Sequence, residues 1–166
     1  MKKQLRFYLL ILSSAMNLLA QSSVPAPGQV PLPALYEGLI RNLAAVSRQS
    51  DALDSAGNKS HKLKQGVCDT LAVGSSDCSL IFRIAVATAA QLEALDQQAQ
   101  AIINGIRSQH PHKPQADGTV LPAPPPELSH LQTQRDSVVK VAAGALQQQL
   151  TAGGAAALGN YLTAHH

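Results

Sequence analysis

Tryptophan is absent from this 166-residue chain, and only three tyrosines and two phenylalanines are present. Two of those five, Phe7 and Tyr8, fall in an N-terminal apolar run, which leaves Tyr36, Phe82 and Tyr161 for the rest of the protein. So few rings cannot build a platform on which successive bases stack. Charge is also scarce. The chain carries 13 Lys and Arg against 10 Asp and Glu, but Lys2, Lys3 and Arg6 sit together before the apolar run and all ten acids follow it. From Gln21 onward the count is therefore ten against ten. A balanced domain lacks the field that draws phosphate or anionic lipid, so nucleic acid and polybasic membrane attachment are not expected. Catalytic signatures are missing as well: there is no Gly-x-Ser-x-Gly elbow, no His-Glu-x-x-His and no phosphate-cradling glycine loop. No enzyme activity and no cofactor are expected.

What is present begins with Met1-Lys2-Lys3-Gln4-Leu5-Arg6, a basic stretch, followed by an almost uncharged run from Phe7 to Leu19 that ends at Ala20. That order predicts a signal peptide over residues 1–20, cut after Ala20, with Ser13-x-Ala15 as the alternative site. The run is shorter than the roughly 20 apolar residues a membrane-spanning helix needs, so no stable anchor is expected after cleavage. The protein is then periplasmic or secreted. Residues 21–33 place proline at nearly every other position, which removes amide donors and predicts an extended tail.

The remainder is rich in Ala, Leu, Val, Ile and Gln, residues with low cost in a helix interior, and it shows no strict alternation. The fold class expected is all-α, a helical hairpin or small bundle of four to five helices over residues 34–164. A first helix runs from Pro33 to about Asp54 with Leu35, Leu39, Leu43, Val46 and Leu53 on one side, and Gly57-Asn58 stops it. A short second helix follows Ser60 with Leu63, Val67 and Leu71. A long central helix from about Asp77 to Ser108 carries Ile81, Ile84, Thr88, Leu92, Leu95, Ala99, Ile102 and Ile106 in steps of three and four, a stripe that needs partners along its whole length. Ser75 or Ser76 would cap it, and Asp77 would meet its dipole. A proline-rich connection spans 109–126. A fourth helix starts at Pro126-Glu127 and turns Leu128, Leu131, Val138, Val139, Ala142, Leu146 and Leu150 inward. Thr151 caps a last helix bearing Ala155, Leu158 and Leu162.

Three groups of residues invite a chemical reading. Cys68 and Cys78 are the only cysteines and flank the turn between the second and third helices. In an exported protein they predict a structural disulfide. The alternative is a redox thiol pair, since a Cys78 in a first helical turn has a favoured thiolate. His110, His112 and His130, with Asp117 or Glu127 to complete the ligand set, are candidates for a metal site, although two histidines in a proline-rich connection are ordinarily solvated; His61 has no evident partner, and His165 and His166 read as a frayed end. The acid pairs Asp51/Asp54 and Glu93/Asp96 read as solvated charge. Arg83 and Arg135 stand on weakly charged faces and could each hold an acidic partner or an internal carboxylate.

With the leader, the proline-rich tail, the long helix and Leu150-Thr151-x-x-Gly154 in view, the chain resembles exported helical proteins of the Spy and CpxP type, periplasmic chaperones and stress modulators. Their Leu-Thr-x-x-Gln motif is matched at Leu150 and Thr151, with Gly154 in place of the glutamine. It also resembles secreted helical proteins of soil bacteria that carry a Leu-Pro-x-Pro-Pro-x-Glu-Leu segment before a Gln- and Arg-containing helix, here Leu121 to Leu128 and then Gln134-Arg135. The first resemblance implies a curved helical dimer with an apolar or basic concave surface. The function expected is protein binding by a non-enzymatic exported protein whose partners are envelope or secreted proteins and for which a homodimer is compatible. The alternatives are a metal-binding envelope protein and a thiol-redox protein using Cys68 and Cys78.

Overall fold

In a computed structural model, residues 32–57, 61–109 and 124–164 are described. They form five helices and, among the described residues, no strand: α1 Leu32–Ser55, α2 His61–Leu71, α3 Ser75–Gln109, α4 Pro126–Gln149 and α5 Ala152–Ala164. The all-α small bundle with one long helix is as the sequence predicts. The leader, most of the proline-rich tail and most of the proline-rich connection lie outside the described residues.

Helices α1, α3 and α4 build the body. Arg41 and Arg48 of α1 meet Asp96 and Glu93 of α3, so numbers rise along one helix as they fall along the other and the two run antiparallel. α4 returns antiparallel to α3, with Ala145 beside Ile84 at one end and Glu127 beside Ile102 at the other. The core centres on Ile40, Leu43, Ile81, Leu92, Leu146 and Leu158, each at most 1% exposed. Each fully buried side chain of that size contributes about 1.5–3 kcal/mol of transfer free energy, so this cluster dominates the fold.

The stripe of α3 is unevenly covered. Ile81, Thr88 and Leu92 are buried, whereas Leu95, Ala99, Ile102 and Ile106 are only half-buried. The cause is length: α3 has 35 residues, about 52 Å, against 24 for α1 and for α4. The ion pairs that join α1 to α3 reach no further along α3 than Asp96, and the buried part of the stripe ends at Leu92. The expectation of cover along the whole stripe is thus corrected. In α4, similarly, Val139, Ala142, Leu146 and Leu150 are buried while Leu128, Leu131 and Val138 are half-buried.

α2 and α5 close the end of the bundle where α3 starts. Cys68 of α2 and Cys78 of α3 are disulfide-bonded with their Cα atoms 5.7 Å apart, across a separation of 10 residues. Between them α2 ends in a Schellman turn, in which Val73 N–H donates to the Cys68 carbonyl and Ala72 N–H to the Asp69 carbonyl, each at 3.1 Å. Ala72 occupies the left-handed position that glycine usually fills, with φ 54°. Gly57 takes the same role after α1 at φ 75°, as its place in the sequence predicts.

The start of α3 differs from expectation. The helix begins at Ser75, so both serines lie inside the first turn, and Ser75 accepts from Ser79 Oγ through its carbonyl. Asp77 does lie in that first turn, but it is 5% exposed and its carboxylate is committed to α5. Thr151 N–H donates to Asp77 Oδ1 at 3.1 Å and Thr151 Oγ donates to Oδ2 at 2.6 Å. Gly154 N–H in turn donates to Thr151 Oγ at 3.1 Å. Thr151 is therefore the cap expected of it, and Asp77 holds the cap in place. The carboxylate comes so near the α5 backbone that a Cβ at Gly154 would lie 2.1 Å from Asp77 Oδ2. This close approach requires glycine where the chaperone motif has glutamine.

Candidate protein-binding face

The charges of the bundle gather on the side where α1 meets α3 and α4. Glu37 of α1 accepts from Arg41 Nε at 2.8 Å and from Arg135 of α4, whose Nε is 3.0 Å from Oε2 and whose Nη2 donates to Oε1. Arg41 Nη2 also reaches Asp96 of α3 at 2.7 Å, with Arg135 Nη1 3.8 Å from the same carboxylate. Two acids and two bases thus tie three helices together. Burial by itself would raise the Glu37 carboxyl, but the hydrogen bonds and charges of Arg135 and Arg41 outweigh it and hold its pKa below the usual carboxylate value. Burial likewise would lower Arg41, yet its bonds to Glu37 and Asp96 raise it further, and the bond to Glu37 raises Arg135. Arg135 therefore anchors an internal carboxylate, one of the two roles open to it from sequence. Asp96 is not plain solvated charge but part of this network. Glu93 pairs with Arg48 at 2.5 Å and Asp51 with Lys64 at 3.0 Å, both toward solvent. Lys64 also stands 5.9 Å from the Phe82 ring centroid, tying α2 to α3.

The opposite side of the α3–α4 pair, away from α1, is built otherwise. Two shallow hollows follow the seam between the helices. One is bordered by Ile84, Ala87, Gln91, Val138, Val141 and Ala145, the other by Gln98, Ile102, Glu127, His130 and Leu131. Within each hollow the positions recur in steps of three and four, and Ile84, Gln91 and Gln98 follow one another at seven-residue intervals, so the two hollows lie in line along the seam. Among the side chains bordering them the single formal charge at neutral pH is Glu127, at one end. Val141 is 69% exposed, the most exposed large apolar side chain among the described residues. Arg83 is exposed and stands one turn before Ala87 on α3. Alanine, valine and glutamine here supply apolar contact and amide hydrogen bonds without a charge to desolvate.

The other residues singled out from sequence do not converge. His130 is exposed and its Nε2 lies 3.1 Å from Gln134 Nε2. His110, His112, Asp117, His165 and His166, and the side chain of His61, lie outside the described residues. Among the described residues no group of three or more His, Cys, Asp or Glu side chains could hold a metal ion. Of the bonded pair, Cys68 is 2% exposed and Cys78 half-buried. The strip is not legible in the sequence as an open surface, because Ile84, Ile102, Leu131 and Val138 belong to the apolar stripes and nothing local shows that they stay partly uncovered. What signal there is lies in the Ala and Gln positions three and four apart on α3 and α4, which the apolar stripe does not include.

By length and composition α3 could cross a membrane, the one such helix among the described residues, and a third of its most apolar window is buried inside the bundle. In comparisons of sequence and structure, the chain matches no protein-family model, no curated protein and no solved structure.

Proposed function

We propose that this is a non-enzymatic exported helical protein that binds other proteins in the cell envelope through the largely uncharged α3–α4 strip. The observation that carries the reading is the contrast between the two sides: ionised side chains are paired with one another where α1 packs, while the far side offers an open apolar seam with Val141 largely exposed. Apolar surface that is neither buried nor diluted by charge is where a polypeptide partner gains most on docking. Export is supported by the leader-like N-terminus and by a bonded cysteine pair, which persists in oxidising compartments.

The reading is tested by the aggregation of an unfolded client in the presence of the protein. At equimolar protein, aggregation is expected to fall, and Val141→Lys is expected to abolish most of the effect while leaving helicity unchanged. Undiminished aggregation at a several-fold excess of protein would remove the chaperone form of the proposal.

A further inference from the structure

We infer that the Cys68–Cys78 bond is a redox-sensitive latch, whose reduction releases α2 and α5 together from the end of the bundle while α1, α3 and α4 stay folded. The inference is independent of the strip and of what the strip binds. The bond acts on this chain alone and passes no electrons to a substrate, which sets the latch apart from a thiol-redox activity.

Three links close a ring where α3 starts. The disulfide joins α2 to α3 at Cys78. Asp77, one residue earlier in the same first turn, holds α5 with both carboxylate oxygens, one accepting from Thr151 N–H at 3.1 Å and the other from Thr151 Oγ at 2.6 Å. α5 then packs back on α2. Two of the three links leave α3 from adjacent residues, so the covalent one steadies the turn from which the hydrogen-bonded one is made.

Neither α2 nor α5 is built to stand without the ring. They have 11 and 13 residues, while isolated helices shorter than about 12–15 residues are marginal in water. Among the described side chains of α2 only Cys68 and Leu71 are buried, so the disulfide supplies one of its two buried anchors. Gly153, Gly154 and Gly159 weaken α5 further, and Leu158 and Leu162 are its large buried side chains. Without the bond α2 loses its hold on α3, and α5 loses the neighbour it packs on. Opening uncovers Phe82, over which Lys64 of α2 stands, together with Leu158 and Leu162.

The reductant is a dithiol. One of its thiolates attacks Cys78, the half-buried and more open member of the pair, and Cys68 leaves as thiolate and takes up a proton. The second thiol of the reductant then displaces Cys78, so the reductant ends as a disulfide and the two cysteines gain two electrons and two protons. For a chain exported as proposed above, the latch is open until the bond first forms, and later reduction reopens it.

Amide hydrogen exchange of the full-length protein, purified as the cell processes it and compared with and without dithiothreitol, tests the inference. Reduction is expected to widen the gap in protection between α2 and α5 on one side and the buried segments of α3 and α4 on the other by at least about tenfold, with α2 and α5 falling together. A bond that merely stabilises the whole fold would lower all five helices alike and leave that gap unchanged. Circular dichroism of the reduced protein is expected to retain the helicity of α1, α3 and α4. Thr151→Val, which removes the hydroxyl that Asp77 accepts, is expected to loosen α5 on the order of tenfold in the oxidised protein and to add less than about threefold in the reduced one, because both changes open the same ring. An unchanged gap, α2 opening without α5, a reduced protein that unfolds altogether, a bond that resists about 10 mM dithiothreitol in the folded protein, or fully additive effects of reduction and Thr151→Val would each overturn the inference.

Discussion

The junction of Asp77, Thr151 and Gly154 sets the most demanding residue-scale constraints. Gly154→Ala drives a methyl into the Asp77 carboxylate, and since both sit in helices, neither yields without loss of the cap. The expected cost is about 2–4 kcal/mol, from overpacking together with a lost cap, measured by urea unfolding. A midpoint within error of the unaltered protein would contradict the close approach. Ala72 offers a change of opposite sign. Its left-handed backbone costs a non-glycine residue about 1–2 kcal/mol, so Ala72→Gly is expected to raise stability by about 1 kcal/mol, whereas Ala72→Val lowers it. Sequence reading found the capping role of Thr151 from local spacing alone. It assigned Asp77 to the dipole of its own helix because its real partner lies 74 residues away, a separation that local pattern does not encode.

Among elements, the docking of α1 onto the α3–α4 pair is the contact most sensitive to conditions. Its hydrophobic part was legible, since Leu39 and Leu43 recur at helical spacing and are buried as expected. The ionic part was legible only as possibility: Arg135 was a candidate for an internal carboxylate, but that Glu37 and Asp96 would face it depends on how three helices pack. Glu37 titrates below its ordinary value, so its contribution to stability is present above the unfolded pKa of about 4.3 and is lost as pH falls through the lower folded value. Between pH 7 and 5 this carboxylate makes stability neither rise nor fall, and the loss is confined to the acid side of about pH 4. Glu37→Gln should flatten that acid limb, and Arg135→Met should lower stability by about 1–2 kcal/mol, since these side chains are partly exposed and solvent screens them. Thermal melts across pH 2–7 measure both. The half-buried end of α3 shows the matching limit, because the stripe persists to Ile106 with nothing local to reveal that its neighbours cover the last turns only in part.

For the whole molecule, the disulfide and the largely uncharged strip lie in different parts of the bundle and should be separable. In the chain-entropy account, closing a loop with 10 residues of separation is worth about 2.5–3 kcal/mol, so reduction or Cys68→Ser/Cys78→Ser should lower stability by about that amount. Binding by the strip, some distance along α3 from Cys78, is expected to survive if the fold does. The balanced charge and the all-α class followed from composition and periodicity. The strip did not, because which face of a helix pair stays open is decided by where the third helix lands. Amide hydrogen exchange of the protein with and without an unfolded client measures the central claim most directly. The account predicts added protection confined to segments within residues 84–102 of α3 and 127–145 of α4. Protection centred on α1 or α2, or none at saturating client, would contradict it.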